Sequence, residues 1–103
     1  MLDVRLAERD QAVLDIETAV WTSEVALAKS LGITQAQPAF EAAVLIVAYM
    51  AEAKTTDYAQ ASEAIEQASR ESLTLGLKKT EQRRLYIKAR VIDLAKENND
   101  EQA

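Results

Sequence analysis

Residues 38–51 read Pro-Ala-Phe-Glu-Ala-Ala-Val-Leu-Ile-Val-Ala-Tyr-Met-Ala, and Glu41 is the only charge among them. No other stretch of the 103-residue chain is so uniformly apolar. At about 100° per residue, a helix here places Phe40, Ala43, Val44, Val47 and Ala51 on one side, with Leu45, Ile46, Tyr49 and Met50 filling most of the rest. A helix that is apolar nearly all round is expected to be covered nearly all round. The stretch therefore predicts the central pillar of a helical bundle, running from Pro38 to about Lys54. On that reading Val47→Asp unfolds the domain. The uncharged run from Ala42 to Ala51 is about half of a membrane span, and it offers no polar ligand group.

The composition around the pillar agrees with helices. Only two glycines and one proline occur, while alanine, leucine, glutamate, glutamine, lysine and arginine are plentiful. Valine and isoleucine do not alternate with polar residues as a strand requires. We expect an all-α fold, four helices in an up-down arrangement, forming one domain over residues 1–103. The chain has no cysteine and no histidine, which removes thiolate nucleophiles, disulfides, the commonest transition-metal ligands and the commonest general base. No glycine-rich phosphate loop, nucleophile elbow or Glu-x-x-His motif is present. No catalysis, cofactor, metal or small-molecule substrate is expected. The charged N-terminus, MLDVRLAERD, does not read as a signal peptide, and the expectation is a cytoplasmic protein that does not engage membranes.

Leu2 to Leu31 reads as one long helix. Leu6, Val13, Val20 and Leu27 recur every seven residues, flanked by Ala7, Leu14, Trp21 and Ala28 and by Ala12, Ala19 and Ala26. These columns span roughly 200°, wider than the ~100° stripe of a surface helix. Opposite them runs an acidic column of Asp3, Asp10, Glu17 and Glu24, with Glu8 and Asp15 beside it. Such a column is the wet face of a long helix or a dock for a basic partner. Gly32 predicts a left-handed helix stop, and Thr34 or Gln37 is placed to cap the pillar ahead of Pro38.

After the pillar, Thr56 is the expected N-cap of a third helix, about Asp57 to Ser72, whose inner stripe is Tyr58, Ala61, Ile65 and Ala68. Those small residues bury little area, so this helix is expected to be the least stable of the four. The run Asp57–Ala68 resembles the second helix of a tetratricopeptide unit. The gap from Tyr49 to Tyr58 is too long for that unit and its glycine is missing, so neither a repeat nor a family is read here. Leu73 to Leu77 reads as a turn around Gly76, and Thr80 as the cap of a last helix, roughly Glu81 to Asn98. That helix carries two apolar stripes about 150° apart. One is Leu85, Ala89 and Ile92, and the other is Ile87, Val91 and Leu94. Residues 98–103 are polar and expected to fray.

Two features point outward. Lys78, Lys79, Arg83, Arg84, Lys88 and Arg90 fall within thirteen residues that hold one acid, Glu81. That segment is +5 and the other ninety residues are −10, summing to the −5 of the chain. Arginines in such a run suit phosphates or carboxylates of a partner, or form a solvated face paired with the acidic surface of the first helix. Trp21 stands at the edge of the first helix's wide arc. That arc and the double stripe of the last helix exceed what one four-helix monomer covers, which points to a homo-oligomer. The expectation is a non-catalytic protein-interaction module, an adaptor, regulator or inhibitor, homodimeric and acting through an apolar face and residues 78–90. The alternative is a nucleic-acid-binding accessory protein using the same basic segment, with Gly76 in a helix-turn-helix-like turn. Against it, Ser72 stands where such motifs place a small apolar residue.

Overall fold

The computed structural model describes residues 2–32 and 38–102, with side chains given for 10–32 and 38–99. Four helices account for nearly all of it: α1 (Leu2–Leu31), α2 (Pro38–Ala53), α3 (Tyr58–Thr74) and α4 (Thr80–Gln102). The fold is all-α, as the composition requires. The expected caps at Thr34 and Gln37, and the terminal Ala103, lie outside the described residues.

Local chemistry sets the ends of the helices. Gly32 takes a φ of 63°, and its N–H donates to the Ala28 carbonyl at 2.9 Å, the left-handed stop foreseen for α1. α2 stops in a similar way without a glycine. Lys54 has a φ of 54°, and the Thr55 N–H reaches back to the Met50 carbonyl at 3.2 Å. α3 is capped by Asp57, not Thr56: its carboxylate accepts from the Ala59 and Gln60 N–H groups at 3.1 and 3.3 Å. The Thr55 hydroxyl meanwhile accepts from the Asp57 N–H, holding the cap residue in place. α3 also outlasts its expected end at Ser72, since Thr74 donates its hydroxyl to the Arg70 carbonyl and the Leu75 N–H donates to Glu71. At α4 the cap position belongs to Lys79, and Thr80 is the first helical residue. The Arg83 N–H donates to the Lys79 carbonyl, and the Gln82 side chain accepts from the Lys79 N–H. α4 continues to Gln102, past the polar end at Asn98 where fraying was expected.

The helices run alternately up and down, and they form two layers. α1 packs most closely on α3, and α2 on α4; the weakest contact is the diagonal between α1 and α4. Small residues make the α1–α3 contact close. Ala19, Ser23 and Ser30 of α1 are buried, as are Ala61, Ser62, Ala68, Ser69 and Ser72 of α3. The Ser30 and Ser72 hydroxyls bond back to carbonyls three residues earlier, which lets these polar groups lie in the interior. Seven residues of α3 are buried, but only Ile65 among them is large. Between the layers lies one core built on Leu27, Leu31, Leu45, Ile46, Tyr49, Ile65, Ile87 and Val91. The Tyr49 hydroxyl, fully enclosed, accepts a hydrogen bond from the Asn98 side chain.

The expectation for α2 needs correction. Ala42, Leu45, Ile46, Tyr49 and Ala53 are buried, but the opposite side of the helix is open. Phe40 is 66% exposed and Val47 67%, with Val44 and Ala51 beside them. In two layers of two helices, each helix is touched by its layer mate and by the layer opposite, which leaves an outer side uncovered. α2 is therefore a core helix on one side only, and Val47→Asp is expected to leave the chain folded, not to unfold it. The stripes of α4 divide in the same way. Ile87 and Val91 are buried, while Leu85 is 64% exposed and Ala89 is open.

Candidate interaction surfaces

The six cations of residues 78–90 do not form one patch. Arg83 ties chain ends together: its Nε donates to the Leu77 carbonyl at 2.8 Å and its Nη1 to the Ser30 carbonyl of α1 at 3.1 Å. That second bond engages a carbonyl in the last turn of α1, where a cation is favoured by the helix dipole. Arg84 lies against Glu41 of α2, with Nε 3.0 Å from Oε1. Its N–H is not aimed at that oxygen and has no hydrogen-bond acceptor, so the pair is a charge contact only. Arg90 holds Glu71 of α3 with two hydrogen bonds of 2.8 and 3.4 Å and reaches Glu97 at 3.6 Å. Lys78, Lys79 and Lys88 are exposed and make no ion pair among the described residues.

Among the described residues, the Glu71 cluster is the one place where ionisation is clearly perturbed. The hydrogen bond from Arg90 holds the Glu71 carboxyl below the usual carboxylate range, with help from Gln67 and Tyr86. The same hydrogen bond raises Arg90 further above its already high value. Burial, and then the negative charge of Glu71, push the Tyr86 hydroxyl up; it donates to Glu71 at 3.2 Å. The cluster locks α3 to α4. Each charge has a partner, so it is a structural clasp, and it leaves no reactive group exposed. Among the described residues no three carboxylates gather as a metal ion would require, and no helix is long and apolar enough to cross a membrane.

Apolar side chains instead collect on the outer faces of the two layers. On the α2–α4 face, Phe40, Val44 and Ala48 face Arg84, Lys88 and Ile92 across a groove of about 260 Å³ floored by Leu45 and Ile87. Small-molecule sites usually begin near 300 Å³ and enclose most of their ligand. This shallow apolar strip matches a partner's side chains better than a cofactor. Val47 and Leu85 are further exposed apolar side chains of these two helices, and Glu41, Arg84 and Lys88 supply charges to the groove lining.

The α1–α3 face is different. Trp21, 66% exposed, stands with Val25 and Leu73 over a groove that Lys29 and Arg70 flank. Farther along the same two helices the lining turns acidic and hydroxylated, with Asp15, Asp57 and Glu63 among Thr18, Thr22 and Ser62. The helical wheel explains the split of the first helix's wide arc. Ala19, Ser23 and Leu27 point inward, while Leu14, Trp21 and Val25 lie on the far side. α1 is also much longer than α2 or α3, so Val13 and Ile16 near its start are exposed as well.

The uncovered side of α2 and the acids that engage the arginines were not found from sequence. The first was foreshadowed only as surplus apolar area; the second needs carboxylates brought in from other helices. Neither a family model, nor a curated protein, nor a solved structure matches this chain.

Proposed function

We propose that this protein is a non-catalytic interaction module, a small adaptor, regulator or inhibitor that self-associates and docks a protein partner. One observation carries the reading: large apolar side chains lie uncovered on the outer faces of both layers, with Phe40, Val44, Val47 and Leu85 on one and Leu14, Trp21, Val25 and Leu73 on the other. Single exposed apolar residues are ordinary on a monomer, but grouped strips rimmed by charge mark interfaces. Two such strips on opposite sides suit a protein that contacts a copy of itself and another partner at once. The partner site is the α2–α4 face, where Phe40 and Val47 are anchors and Lys88 of the basic segment sits at the rim. Nucleic-acid binding is the weaker reading, because Arg83, Arg84 and Arg90 are engaged within the chain.

The test compares wild type with Phe40→Asp/Val47→Asp as bait in the native cell extract, after circular dichroism has shown equal helicity. A partner held in stoichiometric amount by the wild type and lost by the variant supports the reading. The same proteins held by both baits, or none by either, would remove the α2–α4 face as the contact.

A further inference from the structure

The α1–α3 face carries a groove lined by charges of both signs. The groove is charged oppositely at its two ends, and four of its charges pair off about one level, while Asp57, the α3 cap, is a further acid with no basic counterpart. α1 and α3 run in the same direction along it. Asp15 and Thr18 lie beside Ala59 and Ser62 at one end, and Ala26 and Lys29 beside Arg70 and Leu73 at the other. Thr22 and Glu66 line both halves and mark the middle. Asp15 and Lys29 are each seven residues from Thr22, about 10 Å to either side at 1.5 Å per residue. On α3, Glu63 and Arg70 stand three and four residues from Glu66. The acidic members, Asp15 and Glu63, share one end, and the basic members, Lys29 and Arg70, share the other. All four are exposed.

We infer that two copies pair through this face by a two-fold axis lying across α1 and α3 at the level of Thr22 and Glu66, with the helices of the copies antiparallel. The inference rests on the self-association proposed above and assigns it a surface and a register. A two-fold contact requires that residue i meeting j implies j meeting i. About this axis Asp15 meets Lys29 of the second copy twice over, and Glu63 meets Arg70 twice over. The other in-plane axis, which runs along the helices and aligns the copies in parallel, sets α1 over α3 of the second copy and brings Asp15 toward Glu63 and Lys29 toward Arg70, so the charges select against it. Trp21 falls next to the axis with Val25 close by, so an apolar ridge of α1 is buried beside the charged pairs, and Leu14 comes level with Leu73 of the second copy. The exposed start of α1 then has an occupation. Asp10, twelve residues before Thr22, projects past the end of the second copy's groove to the level of the turn that carries Lys78 and Lys79. Glu66 is the one like-charge encounter, lying opposite its own copy.

The experiment uses two single reversals, Asp15→Lys and Lys29→Glu, both at exposed positions, with association measured by sedimentation. Each reversal alone sets like charges against each other at two places and weakens the homodimer roughly thirtyfold. Mixing the two variants restores both opposite-charge pairs, so a heterodimer as tight as the wild-type dimer is expected. Glu66→Gln, which removes the repulsion at the axis, is expected to tighten the wild-type dimer several-fold. A wild-type dimer that neither reversal weakens, but that Val47→Asp dissociates, overturns this face while leaving self-association standing. A wild type that stays monomeric overturns both.

Discussion

Ile46 and Val47 are neighbours in sequence and differ almost completely in surroundings, being 3% and 67% exposed. Aspartate at each position is therefore expected to give opposite results. Ile46→Asp removes a buried side chain that contributes about 2–3 kcal/mol by burial. It also places a carboxylate without a partner in the core, at several kcal/mol more. A domain of this size has about 5–15 kcal/mol in total, so this variant is expected to be unfolded or nearly so. Val47→Asp gives up only the third of the valine that is covered, about 0.5 kcal/mol, and the helix propensities of the two residues are close. The expected melting temperature falls by roughly 2–4 °C. Urea unfolding followed by circular dichroism at the helix band measures both at a concentration where the chain is monomeric. Loss of more than about 2 kcal/mol in Val47→Asp would refute the reasoning, because it would mean that the outer side of α2 is covered within one chain.

Further outcomes follow from the helix ends, the clasp and the basic segment. Lys54 holds a left-handed conformation that glycine adopts freely, so Lys54→Gly is expected to stabilise the chain by about 0.5–1 kcal/mol in urea unfolding, and destabilisation would contradict the assigned stop of α2. Glu71→Gln weakens the clasp to Arg90 and is expected to cost about 1 kcal/mol at pH 7, a figure reduced because solvent reaches the pair. Since the Glu71 carboxyl is held low in the folded state, its contribution is present above the ordinary glutamate pKa and fades as pH falls through the depressed folded value. The stability gap between wild type and Glu71→Gln should therefore close below about pH 4, and a gap that widens there would reverse the assignment. In a DNA titration, three free lysines give weak binding with a salt slope no steeper than about −3. A steeper slope that Arg83→Glu/Arg84→Glu abolishes would favour the nucleic-acid reading.

The sequence disclosed most clearly what is decided by neighbours in the chain. Gly32 and Gly76 end their helices because each supplies a left-handed residue just past the last turn, with φ values of 63° and 65°. The N-cap of α3 was read one residue early, since Thr55, Thr56 and Asp57 all carry suitable oxygens. The choice was settled by the hydrogen bond that Thr55 makes to the Asp57 N–H. What the sequence hid depends on packing between helices. Phe40 and Val47 are as apolar as Leu45 and Ile46, and nothing along α2 says which side finds a neighbour. The surplus was legible as an arc of roughly 200° on α1 and a double stripe on α4, and the structure locates it on the outer faces of the layers. The basic run looked contiguous because six cations crowd into one stretch. Its arginines are drawn apart by Ser30, Glu41 and Glu71, which lie on three other helices.

The central claim is that these outer faces exist to be covered by other protein. Sedimentation equilibrium of the wild-type chain at about 50 µM, well above a micromolar dissociation constant, tests it most directly. The expected mass is twice 11.4 kDa, falling toward 11.4 kDa on dilution. A mass of 11.4 kDa at that concentration would contradict it.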